Sequence, residues 1–146
     1  MMNAETITLE EFMKHDYESY EYVKGELISM SMPTMEHGGI SSNIDILLGM
    51  YVRQHQLGRV YIAETTFQIG PSGRKPDVAF VSQGRIPENI RQASPVPPDL
   101  AVEVVSPSDA FYDVQEKAFE YLDAGTKMVW VIDPVSETVT VYRSRN

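Results

Sequence analysis

The chain has 146 residues, enough for one domain with a single core, and its formal charge of −9 argues against a broad nucleic-acid-binding surface. It contains no cysteine, which excludes disulfides, thiolate nucleophiles and thiolate zinc sites. Its acidic first residues do not resemble a secretory signal, and no apolar run approaches the roughly 20 residues of a membrane span, so a cytoplasmic protein is expected.

The first half of the chain predicts a short helix, a hairpin and a long helix. Thr8, followed three residues later by Glu11, is a capping box at the start of the short helix. A Lys-Gly turn separates two strand-like runs, which indicates a hairpin over residues 20–33. Over residues 36–56 the apolar residues recur at helical spacing and predict the core face of a long helix: Ile40, Ile44, Leu47, Leu48, Tyr51 and Val52.

The second half alternates strands with one more helix. Strands are predicted over residues 59–69, 75–81, 100–105, 127–132 and 137–143. Residues 70–73 are typical of a turn and the proline-rich residues 82–98 of a loop, while residues 106–109 supply helix-start chemistry for a helix that Gly125 ends. Two antiparallel hairpins rule out a purely parallel sheet. We therefore predict an α/β sandwich with a central mixed β-sheet flanked by helices, behind the N-terminal hairpin.

Two carboxylates interrupt these strands in a way that indicates a metal site. Glu103 lies among apolar residues of a strand that looks buried, where an unpaired ionised carboxylate is very unfavourable. Asp77 opens the preceding strand, directly after Pro76, so both carboxylates reach one site if the two strands pair. Two hard oxygen ligands, with open positions for water and a phosphate, suit Mg²⁺. The sequence thus predicts that Asp77 and Glu103 bind a divalent metal.

A hydrolytic site of this type gains from a cation that holds the attacking water, and Lys117 is the candidate. It lies four residues after Asp113 on the helix that follows the Glu103 strand, beside the apolar stripe, so that its stem can run inward. Two further groups are additional candidates for the same site. His37 lies at the start of the long helix, and Glu26 is a carboxylate in a mainly apolar strand face.

The chain resembles the Uma2 family, also known as DUF820, whose members resemble PD-(D/E)xK restriction-endonuclease-like proteins. The similarity spans nearly the whole chain and rests on Pro76-Asp77, residues 98–109, Asp113, Lys117, Tyr121, Ala124-Gly125 and residues 129–134, with residues 24–27 and His37 nearer the N-terminus. The resemblance implies the endonuclease-like fold, a divalent metal (Mg²⁺ or Mn²⁺) and hydrolysis of DNA phosphodiester bonds. It also implies that Asp77 and Glu103 are the metal ligands.

The sequence departs from the superfamily pattern at Val105, two residues after Glu103, where that pattern has lysine. The resemblance implies that Lys117 has taken over the lysine role. The chain also stops soon after Arg143, earlier than is usual for the family. We expect a single restriction-endonuclease-like domain over residues 1–146, and it stays open whether a C-terminal element is missing. By analogy with the superfamily a homodimer is expected, because two cuts on a duplex suit two-fold symmetry.

The three proposed catalytic residues each have a plainer interpretation. Glu103 would be an edge-strand carboxylate that faces water, and Asp77 would be ordinary turn chemistry after a glycine. Lys117 would form an ordinary helix pair with Asp113. Asp99 is part of a second Pro-Asp pair, but it lies about 13 Å from Glu103 along an extended strand, too far to share one ion.

The additional candidates and the function itself also stay open. His37 would be a surface residue at a helix end, and Glu26 the exposed end of a hairpin. A Mg²⁺-dependent DNA endonuclease competes with a catalytically inactive nuclease-fold domain that serves as a binding or assembly module; the valine at position 105 and the net charge favour the latter. A nuclease needs a local basic surface, for which the candidates are Arg53, Arg59, Arg74, Lys75, Arg85 and Arg91.

Overall fold

The computed structural model describes residues 6–144. The helices of this part of the chain are α1 (Leu9–Lys14), α2 (Met35–Gln54) and α3 (Phe111–Ala124), with a 3₁₀ turn at Gln83–Arg85. Its strands are β1 (Tyr20–Val23), β2 (Glu26–Ser29), β3 (Gly58–Ile62), β4 (Phe67–Ile69), β5 (Ser72–Arg74), β6 (Val78–Ser82), β7 (Leu100–Val104), β8 (Met128–Asp133) and β9 (Thr138–Arg143). Within residues 6–144 no helix has the length and apolar character needed to cross a membrane.

The strands form two sheets. The larger sheet has five strands in the order β3-β6-β7-β8-β9, in which β7 and β8 are parallel and the other neighbours antiparallel. The smaller sheet has four antiparallel strands in the order β2-β1-β5-β4. The predicted mixed sheet flanked by helices is confirmed. The smaller sheet, which takes up the N-terminal hairpin, is not anticipated by the sequence pattern.

Local signals in the sequence set several element ends as predicted. The Thr8 hydroxyl accepts a hydrogen bond from the Glu11 N–H (3.1 Å) and the Glu11 carboxylate accepts one from the Thr8 N–H, which completes the capping box of α1. Lys24 and Gly25 have φ of 48° and 95° and form the turn between β1 and β2. Gly125, with φ of 116°, ends α3 in the left-handed conformation.

Of two predictions around residues 59–73, one is wrong and the other is confirmed only in its first half. The strand predicted over residues 59–69 is two strands in different sheets, because the chain leaves the larger sheet after β3 and joins the smaller one at β4. The turn predicted over residues 70–73 is confirmed at Gly70 and Pro71, but Ser72 and Gly73 already belong to β5, which pairs with both β1 and β4 and is fully buried. At Gly73 an added Cβ would lie 2.6 Å from the Phe12 ring, so here tertiary packing selects the glycine.

The start of α3 also differs from the prediction. Its N-cap is Ala110, which has no side-chain oxygen to accept from the helix amides. Asp109 instead accepts a hydrogen bond from the Ser106 N–H (2.8 Å) and closes a turn that precedes the helix. The residues with helix-start chemistry therefore shape the approach to α3 rather than its cap.

The two long helices cover opposite faces of the larger sheet. Ile44 and Leu48 of α2 pack against one buried cluster, and Ala118 and Tyr121 of α3 belong to the other. The predicted core face of α2 is wrong at two positions, because Leu47 and Tyr51 are 71% and 54% exposed. Val52 is the buried residue of that predicted face. The sequence period alone could not distinguish the sheet-facing side of the helix from this second apolar side.

Candidate active site

Asp77 and Glu103 lie opposite each other on neighbouring antiparallel strands. Asp77 immediately precedes β6, and the pairing of Val78 with Val102 places it across from Glu103 on β7. The Asp77 N–H donates to the Val102 carbonyl (3.1 Å), which extends the ladder to the carboxylate. Because β7 is the middle strand of five, the edge-strand interpretation of Glu103 is excluded.

One oxygen of each carboxylate is held by a fixed donor. Asp77 Oδ2 accepts from the Val104 N–H at 2.7 Å, and Glu103 Oε1 accepts from the buried Tyr121 hydroxyl at 2.8 Å. The other oxygens face titratable or charged side chains: Asp77 Oδ1 lies 3.1 Å from His37 Nε2, and Glu103 Oε2 lies 3.5 Å from Lys117 Nζ. The fixed donors therefore orient Oδ1 and Oε2 as the oxygens available to a ligand.

The electrostatics of this pair favour an added cation. Burial raises the pKa of Glu103 to about 8; the Lys117 ammonium opposes this rise, whereas the charges of Asp77 and Glu21 add to it. Burial also raises the pKa of Asp77. The hydrogen bond from the Val104 N–H and the nearby His37 and Lys117 lower this pKa, but burial outweighs them. A divalent cation between these two side chains would relieve the cost of holding both as buried anions.

Lys117 projects from α3 into the same site. Its ammonium lies 3.5 Å from Glu103 Oε2 and 3.3 Å from Glu21 Oε1, so it bridges two carboxylates. Burial lowers the pKa of Lys117, but these two carboxylates outweigh burial and raise it, which keeps the ammonium charged. Its stem runs inward as the helix pattern predicts, and its ion pairs are with Glu103 and Glu21 rather than Asp113.

Glu21 on β1 is a residue of this site that the sequence reasoning missed. It is 5% exposed, and its carboxylate accepts from the Lys75 N–H (2.7 Å) and pairs with Arg74 (3.4 Å) as well as Lys117. Arg74 in turn pairs with Glu120 of α3 at 2.8 Å. The signal was available, because Glu21 interrupts an aromatic strand in the same way that Glu103 interrupts an apolar one.

A cleft of about 580 Å³ contains the carboxylate pair and has walls from both sheets and from α2 and α3. Its acidic lining residues are Glu21, Glu64, Asp77, Glu103, Asp109, Asp113 and Glu116, and its basic ones are Arg74, Lys75 and Lys117. His37 also lines it, whereas Glu26 does not and is exposed on β2, paired in register with Val23. The structure thus brings His37 to the site and keeps Glu26 away.

The expected basic surface is not found at the cleft. Of the six candidate cations only Arg74 and Lys75 line it, and both are buried and paired with carboxylates, Lys75 with Glu64 at 3.0 Å. Arg85 pairs with Asp99 at the other end of β6. Asp99, which belongs to the second Pro-Asp pair, accepts a hydrogen bond from the Ser82 N–H at that end. This contact gives Asp99 a structural role away from the cleft.

The residues of the cleft fit a small hard cation that takes only part of its coordination from the protein. Across residues 6–144 no set of three or more His, Asp or Glu side chains is arranged to hold a metal ion. Two carboxylates with one oriented oxygen each remain, and Mg²⁺ binds in this way when water and substrate phosphate complete its coordination. Asp77 and Glu103 therefore suit Mg²⁺ or Mn²⁺ better than a metal that requires a full protein cage.

The fold and the site define a restriction-endonuclease-like α/β domain, and comparisons with known proteins agree. The chain belongs to the Uma2 family, described as "Putative restriction endonuclease", whose model matches residues 6–146. It is similar to the crystal structure of a putative nuclease belonging to DUF820 from Anabaena variabilis, with a TM-score of 0.85 and 29% identity over 96% of this chain and 81% of that chain. No curated protein matches significantly.

Proposed function

We propose that the protein is a Mg²⁺- or Mn²⁺-dependent nuclease that hydrolyses phosphodiester bonds of DNA. The observation that carries the proposal is the pair of facing carboxylates, Asp77 and Glu103, each oriented by a fixed donor and accompanied by the Lys117 ammonium. The family and the nuclease-like structural neighbour support a nuclease.

The side chains divide the work in this proposal. Asp77 and Glu103 would hold the metal, which when bound would supply a Lewis acid for the phosphoryl oxygen and lower the pKa of a water. Lys117 orients the attacking water and stabilises negative charge that develops on the phosphoryl group. His37, whose Nε2 lies 3.1 Å from Asp77 Oδ1, is placed to exchange a proton at the edge of the site.

A second candidate function is a catalytically inactive nuclease-fold domain that acts as a binding or assembly module. Val105 stands where the superfamily pattern has lysine; it is partly buried against the core and lines the cleft without offering a charge there. The acidic excess of the cleft lining also opposes DNA binding unless a cation is present. In this function the carboxylate cluster would persist without turnover.

Plasmid nicking by purified protein distinguishes the two functions. We expect Mg²⁺-dependent conversion of supercoiled DNA that is lost in Asp77→Ala and in Glu103→Ala but kept in Glu88→Ala, an exposed carboxylate outside the cleft lining. Calorimetry with Mg²⁺ and Mn²⁺ on the same variants measures binding separately. Nicking that survives both site variants overturns the proposal, and metal binding without nicking in any condition favours the inactive module.

A further inference from the structure

Helix α2 carries an exposed apolar patch that the core does not use. Four large side chains are more than half exposed: Ile46 at 53%, Leu47 at 71%, Met50 at 66% and Tyr51 at 54%. They fall on one side of the helix, within two turns, while Ile44, Leu48 and Val52 face the sheet. An exposed apolar patch of this kind marks an interaction site in a soluble protein.

None of the side chains of the patch is charged. Exposed amides flank it at both ends, Asn43 towards the start of the helix and Gln54 towards its end. With about 3.6 residues per turn, Asp45 lies on the opposite side of the helix and Arg53 at the margin of the patch. In a chain with a net charge of −9, this is a surface where a second identical chain can approach without like-charge repulsion.

The order of residues in the patch is symmetric. The spacing of Asn43, Ile46, Leu47, Met50, Tyr51 and Gln54 is the same read in either direction from the midpoint between Leu48 and Gly49. A two-fold axis through this midpoint pairs the helices antiparallel. Leu47 then faces Met50 of the second copy, Ile46 faces Tyr51, and the amide of Asn43 faces that of Gln54.

We propose that this protein forms a homodimer through an antiparallel, isologous contact of the α2 patch. The Tyr51 ring packs on His55 with centroids 4.3 Å apart and is therefore already ordered for the contact. One helix pair buries less area than a typical stable interface, so the dimer dissociates on dilution. The proposal does not depend on the proposed nuclease activity, since neither the patch residues nor the midpoint line the cleft.

Analytical ultracentrifugation of the full chain, from micromolar to near-millimolar concentration, tests the proposal. We expect the wild type to shift from monomer to dimer. Leu47→Lys and Met50→Glu, each alone, should weaken the dimer at least tenfold by placing an unpaired charge against an apolar residue. Both positions are exposed, so circular dichroism should show an unchanged fold.

The double variant Leu47→Lys with Met50→Glu tests the register. In the antiparallel contact each introduced ammonium faces the introduced carboxylate of the second copy, so dimerisation should recover. The matched control Val139→Lys, on the exposed apolar side of β9, should dimerise like the wild type. A wild type that stays monomeric, single variants that dimerise normally, a double variant without recovery, or a control that loses the dimer would each overturn the proposal.

Discussion

Glu103 occupies a position that is unfavourable for folding. Its side chain is 13% exposed, and burial raises its pKa to about 8. Carboxylates outnumber cationic groups around it, so Lys117 does not fully compensate the charge of Glu103 and Asp77. A divalent cation would stabilise the two facing carboxylates. A neutral side chain at position 103 would also remove the cost of burying a second carboxylate beside Asp77.

We therefore predict opposite effects of Glu103→Gln on stability and activity. Without metal at pH 7, the free energy of unfolding should rise by about 1–3 kcal/mol, because folding no longer requires the Glu103 carboxyl to take up a proton or to be buried as an anion, while the Tyr121 hydroxyl keeps an acceptor. Mg²⁺-dependent nicking should be lost. Urea unfolding in EDTA measures the first effect, with the exposed Glu88→Gln as a control expected to change little. A destabilised Glu103→Gln would show that the Lys117 pair outweighs the repulsion.

Glu21 has the opposite energetic role, because its partners are cationic or neutral donors. It accepts from the Lys75 N–H and pairs with Arg74 and Lys117 in a nearly dry environment. Glu21→Gln would remove the negative charge that faces the buried Arg74 and Lys117. It would also weaken the contact that holds the Lys117 ammonium near β1. We expect a loss of about 3 kcal/mol in the free energy of unfolding, measured by urea titration.

An exposed ion pair between the β1–β2 turn and α3 provides the matched control for Glu21. Lys24 and Glu116 approach to 3.8 Å, but their side chains are 63% and 71% exposed. Glu116→Gln should cost under about 1 kcal/mol, since solvent screens such pairs. Equal losses in the two variants would contradict the view that burial, rather than the simple count of ion pairs, sets the stability at this site.

At the level of elements, Asp99 joins the ends of three strands of the larger sheet. Its carboxylate accepts from the Ser82 N–H (2.7 Å), lies 2.9 Å from Arg85 and 3.4 Å from Lys127, and its backbone carbonyl accepts from the Lys127 N–H. Burial raises the pKa of Asp99, but the Ser82 hydrogen bond and the Arg85 guanidinium outweigh burial and lower it. The ionised form is thus favoured by the folded state.

This lowered pKa predicts how Asp99→Asn responds to pH. At pH 7 the variant should be less stable than the wild type by about 1–2 kcal/mol, because it loses a charge-assisted hydrogen bond. The stabilisation by Asp99 is complete above its unfolded pKa of about 3.9 and is lost as the pH falls through the lower folded pKa. The stability difference should therefore shrink below about pH 4 in urea titrations at stepped pH. A constant difference would assign the effect to packing instead of charge.

The elements also show what the sequence could and could not predict. The capping box at Thr8 and the glycine C-cap at Gly125 follow from local spacing, and both are present. The sequence placed Asp77 and Glu103 at one site only on the condition that their strands pair, and the structure meets this condition. The split of residues 59–69 into β3 and β4 depends on which sheet accepts each strand. The carboxylate of Glu21 within an aromatic strand was a usable signal, but its pairing with Arg74 and Lys117, which lie far away in sequence, follows only from the fold.

At the scale of the molecule, the proposed dimer and the proposed active site are connected by α2. His37 lies near the start of this helix, and the dimer midpoint falls between Leu48 and Gly49, roughly 17 Å away along the axis at 1.5 Å per residue. Two clefts related by that two-fold would lie roughly 35 Å apart along the helix pair. This matches about one turn of B-DNA, so the two proposals together are compatible with one duplex spanning both clefts.

The charge of the whole molecule predicts that DNA binding requires the metal. Seven carboxylates line the cleft against three basic side chains, and the chain carries −9 overall, so a phosphate backbone is repelled until a cation is bound. By fluorescence anisotropy, a labelled duplex should bind the wild type at least tenfold more tightly with Ca²⁺ than in EDTA. The double variant Asp77→Asn with Glu103→Gln should bind more tightly than the wild type in EDTA and lose the response to Ca²⁺.

Removing the same amount of charge elsewhere separates the cleft from the net charge. Glu88→Gln with Glu137→Gln neutralises two exposed carboxylates outside the cleft lining. This control should bind DNA weakly in EDTA and respond to Ca²⁺ like the wild type, because the two carboxylates that face each other are intact. If it instead behaves like the cleft variant, long-range repulsion governs binding and the paired carboxylates have no special part in it.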